Sequence, residues 1–435
     1  MQQDITDTIK KEEEQFARTL DKGMGVLEAA LENVSGDVLP GELIFQLYDT
    51  FGFPTDLTND VAREKGYSLD MEGYEACMEE QRKRARSASQ FGLDYSDSIR
   101  VKGSTEFCGY EHLENQATVV ALYSAGEAVE AVSADAEVVA ILDNTSFYAE
   151  SGGQVGDSGY LHTDSAKIEI SDCRKAGDHH MHIGRVMSGE LKVGEQVSTS
   201  VDASVRQATA LNHSATHLLH AALQQVVGEH VQQKGSLVNS ERLRFDFSNN
   251  EAVSAEQIRQ IEHIVNHEIL RNTSVTTEVM SMDDAVNKGA MALFGEKYGD
   301  HVRVLSMGSD FSVELCGGTH ASRTGDIGLV RITGESSVAS GVRRIEAVTG
   351  AKAIDHCDDL QDTIADVATA VRASGTNVAD KVRQVLDDNR RLQKEIEALK
   401  SKLANASGTD LMAGLQQING VGVLATAVEG ADAKS

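Results

Sequence analysis

The chain of 435 residues has no tryptophan, only two prolines, and few cations: 40 Lys and Arg stand against 68 Asp and Glu, a net charge of −28. Such a surface repels polyanions, which excludes nonspecific nucleic-acid binding spread over the whole molecule. A partner that carries phosphates must meet local basic patches. The densest is Arg82-Lys83-Arg84-Ala85-Arg86, followed by Arg343-Arg344 and Lys234; the competing reading of the first is a solvated helix face. No apolar run approaches the roughly 18 residues of a membrane span, so no membrane partner is expected. The polar, acidic start Met1-Gln-Gln-Asp-Ile lacks the pattern of a secretory signal. Cysteine is scarce too. The five, Cys77, Cys108, Cys173, Cys316 and Cys357, are odd in number, lack disulfide-like spacing and contain no C-x-x-C pair. They point to a reducing, cytoplasmic setting. The scarcity of proline and tryptophan excludes no function class.

Against those absences stand two metal-binding half-sites about a hundred residues apart, His213-Ser-Ala-Thr-His217 and Cys316-Gly-Gly-Thr-His320. The first lies in a helical pattern whose apolar stripe is Leu211, Ala215, Leu218, Leu219, Ala222, Leu223 and Val226. At i and i+4 its two histidines project from one face, within reach of a single ion. In the second, Gly317 and Gly318 allow a tight fold that lets Cys316 and His320 converge. Imidazoles with one thiolate suit zinc, one per chain. A metalloprotease would need Glu after the first His, where Ser214 stands. A zinc deaminase would need His-x-Glu and Pro-Cys-x-x-Cys, and the chain has no C-x-x-C at all. The bland alternatives are a purely structural zinc or a core helix with incidental histidines. His263 and His267 repeat the HxxxH spacing in a charged stretch without a cysteine partner, and read as a solvated helix face. His220 is expected to pack beside the metal ligands. His179, His180 and His182 alternate along a segment that reads as a surface strand.

The pattern of elements is α+β and multidomain, and the length allows two to four domains. Helices are expected over residues 8–32, Glu42–Phe51, Asp56–Lys65 and Met71–Ser89, with Gly52-Phe-Pro-Thr-Asp56 supplying a stop and the next start. Near residue 101 the pattern changes to strands, at Val119–Tyr123, Glu137–Leu142, Lys167–Ser171 and Glu195–Val201, which reads as a small β-barrel or sheet. Residues 205–350 mix helix and strand, with a strand at Leu243–Phe247 and a helix from Ser254 to Arg271. After Gly350 the chain is helical again. Val378, Val382, Val385, Asn389, Leu392, Ile396, Leu399 and Leu403 alternate at four and three, a heptad seam with Asn389 as its one polar a position. A two-stranded coiled coil or a helical hairpin is expected, with one long amphipathic helix as the alternative, and a strand opens at Gly420.

Longer runs carry a resemblance. They are Glu12–Phe16, Leu47–Pro54, Asn144-Thr-Ser-Phe-Tyr-Ala-Glu-Ser-Gly-Gly-Gln154, Gly156–Gly159, Gln233-Lys-Gly-Ser236, Leu243-Arg-Phe-Asp-Phe247, Gly289–Tyr298 and Gly341–Glu346, together with the two half-sites. Through them nearly the whole chain resembles the middle and C-terminal parts of the bacterial alanyl-tRNA synthetase family. The resemblance implies a helical tRNA-recognition region over 1–100, a β-barrel part of an editing domain over 101–204, and a zinc-binding editing domain over 205–350. A helical or coiled-coil linker over 351–408 and the start of a C-terminal oligomerisation and tRNA-binding domain over 409–435 would follow. Both ends look cut, and the class II aminoacylation core is expected to precede residue 1 and be missing. ATP and Mg2+ are then cofactors of the full-length enzyme only. The function expected of this chain is zinc-dependent hydrolysis of Ser-tRNA(Ala) and Gly-tRNA(Ala), with tRNA(Ala) and a second copy of the chain as partners. A synthetase pocket shaped for a methyl group rejects glycine poorly, so a second hydrolytic site supplies the missing discrimination.

The resemblance also suggests roles. His213, His217, Cys316 and His320 would hold zinc, either as a closed tetrahedral site or with one position open to substrate. Gln233 would hydrogen-bond near the aminoacyl group, and Thr145 and Ser146 would read a serine hydroxyl. Gly152 and Gly153 would admit backbone N–H groups to the terminal adenosine. Asp246 would orient water or serve the strand it sits on, and Arg82, Arg84, Arg343 and Arg344 would meet phosphates. The rivals are a freestanding editing protein, the related zinc site of threonyl-tRNA synthetase, and a non-catalytic fragment that binds tRNA and dimerises.

Overall fold

Both prolines stand at helix starts. The computed structural model describes residues 2–31, 34, 36–88, 101–291, 299–411, 416–418 and 420–423. Its first part runs α1 (Gln2–Leu31), β1 (Val38–Leu39), α2 (Gly41–Phe51), α3 (Thr55–Glu64), β2 (Ser68–Leu69) and α4 (Met71–Ala88). Pro40 and Pro54 cap α2 and α3 at their N-termini, where a fixed φ helps and a missing N–H costs little. Gly52 ends α2 at φ 62°, and its N–H returns to the carbonyls of Leu47 and Tyr48. That left-handed stop drops Phe53 into a small core with Leu27, Leu39, Ile44 and Leu47. The four helices expected here are present with ends shifted by a few residues.

The strands that follow are β3 (Glu106–Phe107), β4 (Glu114–Ser124), β5 (Glu127–Val129), β6 (Ala131–Ser133), β7 (Glu137–Leu142) and β8 (Asn144–Thr145). They continue with β9 (Gly159–His162), β10 (Lys167–Ala176), β11 (His179–Ser188), β12 (Glu190–Lys192) and β13 (Gln196–Val201). Six of them close a barrel in the order β13-β9-β10-β11-β7-β4, and β4 returns to pair with β13. All six pairings are antiparallel. Closure leaves no unpaired edge among these strands. The period-two alternation turns Ile168, Ile170, Val138, Ala140, Leu142 and Val197 into one core. One expectation is corrected here. β11 is no surface strand: His179, His180 and His182 are 6, 9 and 0 % exposed. The strand lies between β10 and β7, and a second cluster of Tyr123, Val139, Ile141, Ala176 and Met181 packs beyond the barrel core.

From the barrel the chain enters α5 (Ala203–Val226), then β14 (Gln233–Val238), β15 (Leu243–Ser248), α6 (Ala255–Leu270), β16 (Thr276–Ser281) and α7 (Met282–Asn287). β17 (His301–Met307), β18 (Ser312–Leu315), β19 (Val330–Ala339) and β20 (Val342–Thr349) complete this part. Asp202 caps α5 by accepting from the N–H groups of Ser204 and Val205 at 2.9 and 3.1 Å. Ser254 and Gln257 form a reciprocal capping box on α6. The antiparallel sheet β14-β15-β20-β19 shares one core with both helices: Ala215, Leu218, Leu219 and Leu223 meet Phe245, Phe247 and Ile345 on one side and Ile261, Val265 and Ile269 on the other. Buried nearly all round, α5 is a core helix rather than a surface one. A smaller sheet, β16-β17-β18, delivers the second half-site. His263 and His267 stay on the solvent face of α6, as expected.

Residues up to Ala353 form one compact unit and those from Ile354 a second. The helices α8 (Gly350–Val371) and α9 (Val378–Leu411) lead to the short hairpin β21 (Gln416–Ile418) and β22 (Val421–Val423). The last seven residues of the Gly289–Tyr298 run lie outside the described residues.

Candidate functional site

The two half-sites meet. His213 and His217 come from the middle of α5, and Cys316 and His320 from the loop after β18. Their donor atoms all lie within 4.8 Å of one another. Cys316 Sγ is 3.5 Å from His213 Nε2 and 3.3 Å from His320 Nε2. Gly318 makes this approach possible, because a Cβ there would stand 2.1 Å from His213 Cε1.

Every imidazole is held from behind. Gln154 Oε1 accepts from His213 Nδ1 at 2.8 Å and from the Thr319 N–H at 2.9 Å, while its Nε2 donates to Thr319 Oγ1 at 2.9 Å. Glu314 Oε2 accepts from His217 Nδ1 at 2.8 Å, and Oε1 accepts from His220 Nδ1 at 3.3 Å and Ser312 Oγ at 3.2 Å. Ser214 Oγ lies 3.4 Å from His320 Nδ1 and is fixed by donating to the Ala210 carbonyl and accepting from the Ala321 N–H. With Nδ1 of each ring engaged, Nε2 is the nitrogen left to the centre. His217 Nε2 is buried without a hydrogen-bond partner among the described residues. A buried polar atom in that state calls for a ligand.

The electrostatics agree with a metal centre. Burial pushes the Cys316 thiol up, but His213, His320 and His217 outweigh it and hold the thiol well below its usual value, which favours thiolate. Burial brings His320 down to about 3, a neutral ring ready to donate its lone pair. His217 is different: burial opposes its charge, yet Glu314 and Cys316 prevail and push it up to about 10. An entering cation has to displace that proton. Three imidazoles and a thiolate with carboxylate support behind one ring fit zinc.

A cavity of about 380 Å³ opens beside Cys316 and His213. Its described lining includes Lys175, Arg303, His180 and Gly152, and no carboxylate. Arg303 props the ligand loop by donating to the carbonyls of Cys316 and Gly318 at 3.0 and 2.9 Å, and stacks 4.2 Å over the Tyr110 ring. Gly152 and Gly153 make a tight turn at φ 59° and 85°. Gly153 lies so close to β14 that a Cβ would stand 2.7 Å from the Ser236 carbonyl oxygen.

Other expected residues have different surroundings. Thr145 is fully buried, with Oγ1 2.8 Å from His182 Nε2, and Ser146 Oγ is 2.8 Å from Thr199 Oγ1. Both hydroxyls are spent inside the barrel and do not reach the cavity wall. Asp246 is clamped by Arg344 through two bonds of 2.6 and 2.8 Å, and Arg343 pairs with Glu335 through two of 2.6 Å. These side chains tie β20 to its neighbours, so their forks are not free for water or phosphate. Gln233 begins β14, at the other end from Val238, whose N–H meets the Gly153 carbonyl; it does not line the cavity. Arg82 is exposed on α4, and the Arg84 side chain lies outside the described residues. Missed by sequence reasoning were Gln154, Glu314, Arg303 and Arg206. The Arg206 guanidinium pairs with buried Asp157 and donates to the carbonyls of Gly109 and Ser146 at 2.6 and 2.8 Å, joining α5 to the barrel.

Residues 1–205 match the family model described as tRNA synthetases class II (A), and residues 302–346 match that of the Threonyl and Alanyl tRNA synthetase second additional domain. Among curated proteins, the chain is 57 % identical over 434 residues to the alanine–tRNA ligase of Saccharophagus degradans, covering 100 % of this chain and 50 % of that one. It is 56 % identical over 431 residues to the enzyme of Pseudomonas fluorescens, covering 99 % and 49 %. The chain belongs to the alanyl-tRNA synthetase family. It spans about half the length of the curated relatives it matches. The expectation that the class II aminoacylation core is missing is overturned by the class II match, which takes in α1–α4 and the barrel. Placing the whole of that core ahead of residue 1 was the error. Among the described residues no helix is long and apolar enough to cross a membrane.

Proposed function

We propose that the metal centre and its cavity form an editing site, which accepts the aminoacyl end of tRNA(Ala) mischarged with serine or glycine and hydrolyses the ester. The carrying observation is the convergence of His213, His217, Cys316 and His320, with a buried His217 nitrogen that has no hydrogen-bond partner among the described residues, at the wall of an open cavity. Lys175 and Arg303, without a carboxylate among the described lining, give this acidic chain a locally favourable potential for the phosphates of a tRNA end. Phe107 and Tyr148 add aromatic surface on which a base can stack. Gln154, Glu314 and Ser214 orient the ligand rings, and Gly318 lets the ligand loop close on α5. Zinc, when bound, supplies a fixed positive charge that polarises oxygen or holds the substrate amine. ATP and Mg2+ would serve the ligase reaction of the family. We further propose that two copies associate through the heptad seam of α9, and that the protein works in the cytoplasm.

The test is hydrolysis of Ser-tRNA(Ala) against Ala-tRNA(Ala) by the purified chain, with and without a zinc chelator, and by Cys316→Ala. Selective loss of serine that the chelator and the substitution both abolish is expected. Unchanged zinc content and unchanged hydrolysis in Cys316→Ala would overturn the reading.

A further inference from the structure

β11 presents two histidines in opposite situations. His182 has both nitrogens engaged, Nδ1 3.0 Å from the Ala140 carbonyl and Nε2 2.8 Å from Thr145 Oγ1. His180 has one. Its Nδ1 lies 3.0 Å from the Phe147 carbonyl, and its backbone N–H donates to Thr105 Oγ1 at 3.2 Å. A carbonyl only accepts, so Nδ1 carries the hydrogen and Nε2 keeps the lone pair. Among the described residues no hydrogen bond engages that Nε2. His180 is nevertheless nine-tenths buried, tilted against Phe107 at 5.6 Å, and lines the same cavity as His213 and Cys316. Burial holds its pKa below the ordinary histidine value; Lys175 and His179 act in the same sense, and the Phe147 carbonyl and Asp157 oppose. The ring is neutral at pH 7.

The rest of the lining narrows the choice of proton acceptor. Lys175 and Arg303 are cations, His213 and Cys316 belong to the metal, and the tyrosines keep their protons at neutral pH. His301, the remaining imidazole, is exposed. We infer that His180 is the general base of ester hydrolysis in this cavity, an assignment that rests on the editing reading above. Nε2 takes one proton from a water molecule, whose oxygen adds to the ester carbonyl carbon. The bond from that carbon to the terminal ribose oxygen then breaks, and the ribose oxygen takes the proton back from Nε2. Water is consumed, and the free amino acid and uncharged tRNA leave.

His180→Asn separates this role from packing, because its side-chain amide can still donate to the Phe147 carbonyl while nothing replaces Nε2. Hydrolysis of Ser-tRNA(Ala) is measured under saturating substrate for parent and variant, alongside zinc content. The expected result is full zinc and a kcat roughly 100-fold lower, at the lower end of what a positioned base contributes. Parental kcat in His180→Asn overturns the inference while leaving the editing reading standing. A parent that hydrolyses nothing overturns both. If His180→Asn loses zinc, His180→Gly with added imidazole decides: recovered hydrolysis supports the base, and none at any imidazole concentration rejects it.

Discussion

Glu314 shows how much of the centre depends on side chains that are not ligands. It is 1 % exposed and accepts from His217, His220 and Ser312 at once. Burial raises its pKa, but His217 first and His220 after it outweigh that and hold the carboxyl well below the usual range. It is therefore an acceptor on both oxygens, which is what two Nδ1–H groups need. Glu314→Gln keeps the volume but sets an NH2 group against one of those donors. A partner of this kind behind a ligating imidazole is worth about 10–100-fold in metal affinity. Zinc affinity by competition with a chromophoric chelator is expected to fall by that factor with the fold intact. An unchanged affinity would mean that Glu314 does not set the His217 ring.

At the scale of elements, the barrel and α5 share a buried seam. The Arg206–Asp157 pair crosses it, and losing one partner of such a pair costs about 3–5 kcal/mol. The barrel has its own pH dependence. Burial holds His182 at about 3 in the fold against an ordinary 6.5, with the Ala140 carbonyl opposing and His180 adding slightly. Between those values the unfolded chain binds a proton that the folded one refuses. The barrel is thus fully favoured above about pH 6.5 and loses stability as pH falls towards 3, by up to about 1.4 kcal/mol per pH unit. Hydrogen-exchange protection of the β11 amides, corrected for intrinsic rates, should weaken across this range in the parent and less steeply in His182→Gln; parallel slopes would discard the account. Local periodicity explains what could be read in advance. The helices α2, α3 and α6, the strands β7 and β15, and the spacing of His213 and His217 are set by neighbours in sequence. Gln154 was out of reach because its partners His213 and Thr319 lie 59 and 165 residues away. Arg344 and Asp246 looked like free functional groups because only the pairing of β15 with β20 brings them together. The buried histidines of β11 were misread for the same reason, since nothing in the strand itself announces that both of its faces are covered.

For the whole molecule, the open question is what covers α9. This helix runs 34 residues, and Val385, Leu392, Ile396, Leu399 and Leu403 on its seam are between 44 and 66 % exposed. An apolar row of that length is unusual on a chain with no partner. Spacing of four and three is the pattern of a left-handed coiled coil, and one Asn at an a position is the usual device for fixing two strands in register. The cluster of His213, His217, Cys316 and His320 and the cavity beside it lie in the unit that ends at Ala353, whereas α9 lies in the other. Association through the seam should therefore be separable from the chemistry. Sedimentation equilibrium at micromolar concentration is expected to give twice the chain mass. Leu392→Asp combined with Leu399→Asp buries two carboxylates in the seam and should return a monomer with parental zinc content and parental hydrolysis of Ser-tRNA(Ala). A parent that stays monomeric at every concentration tested would remove the dimer, and a monomeric variant that also loses hydrolysis would mean that the second copy serves the site as well.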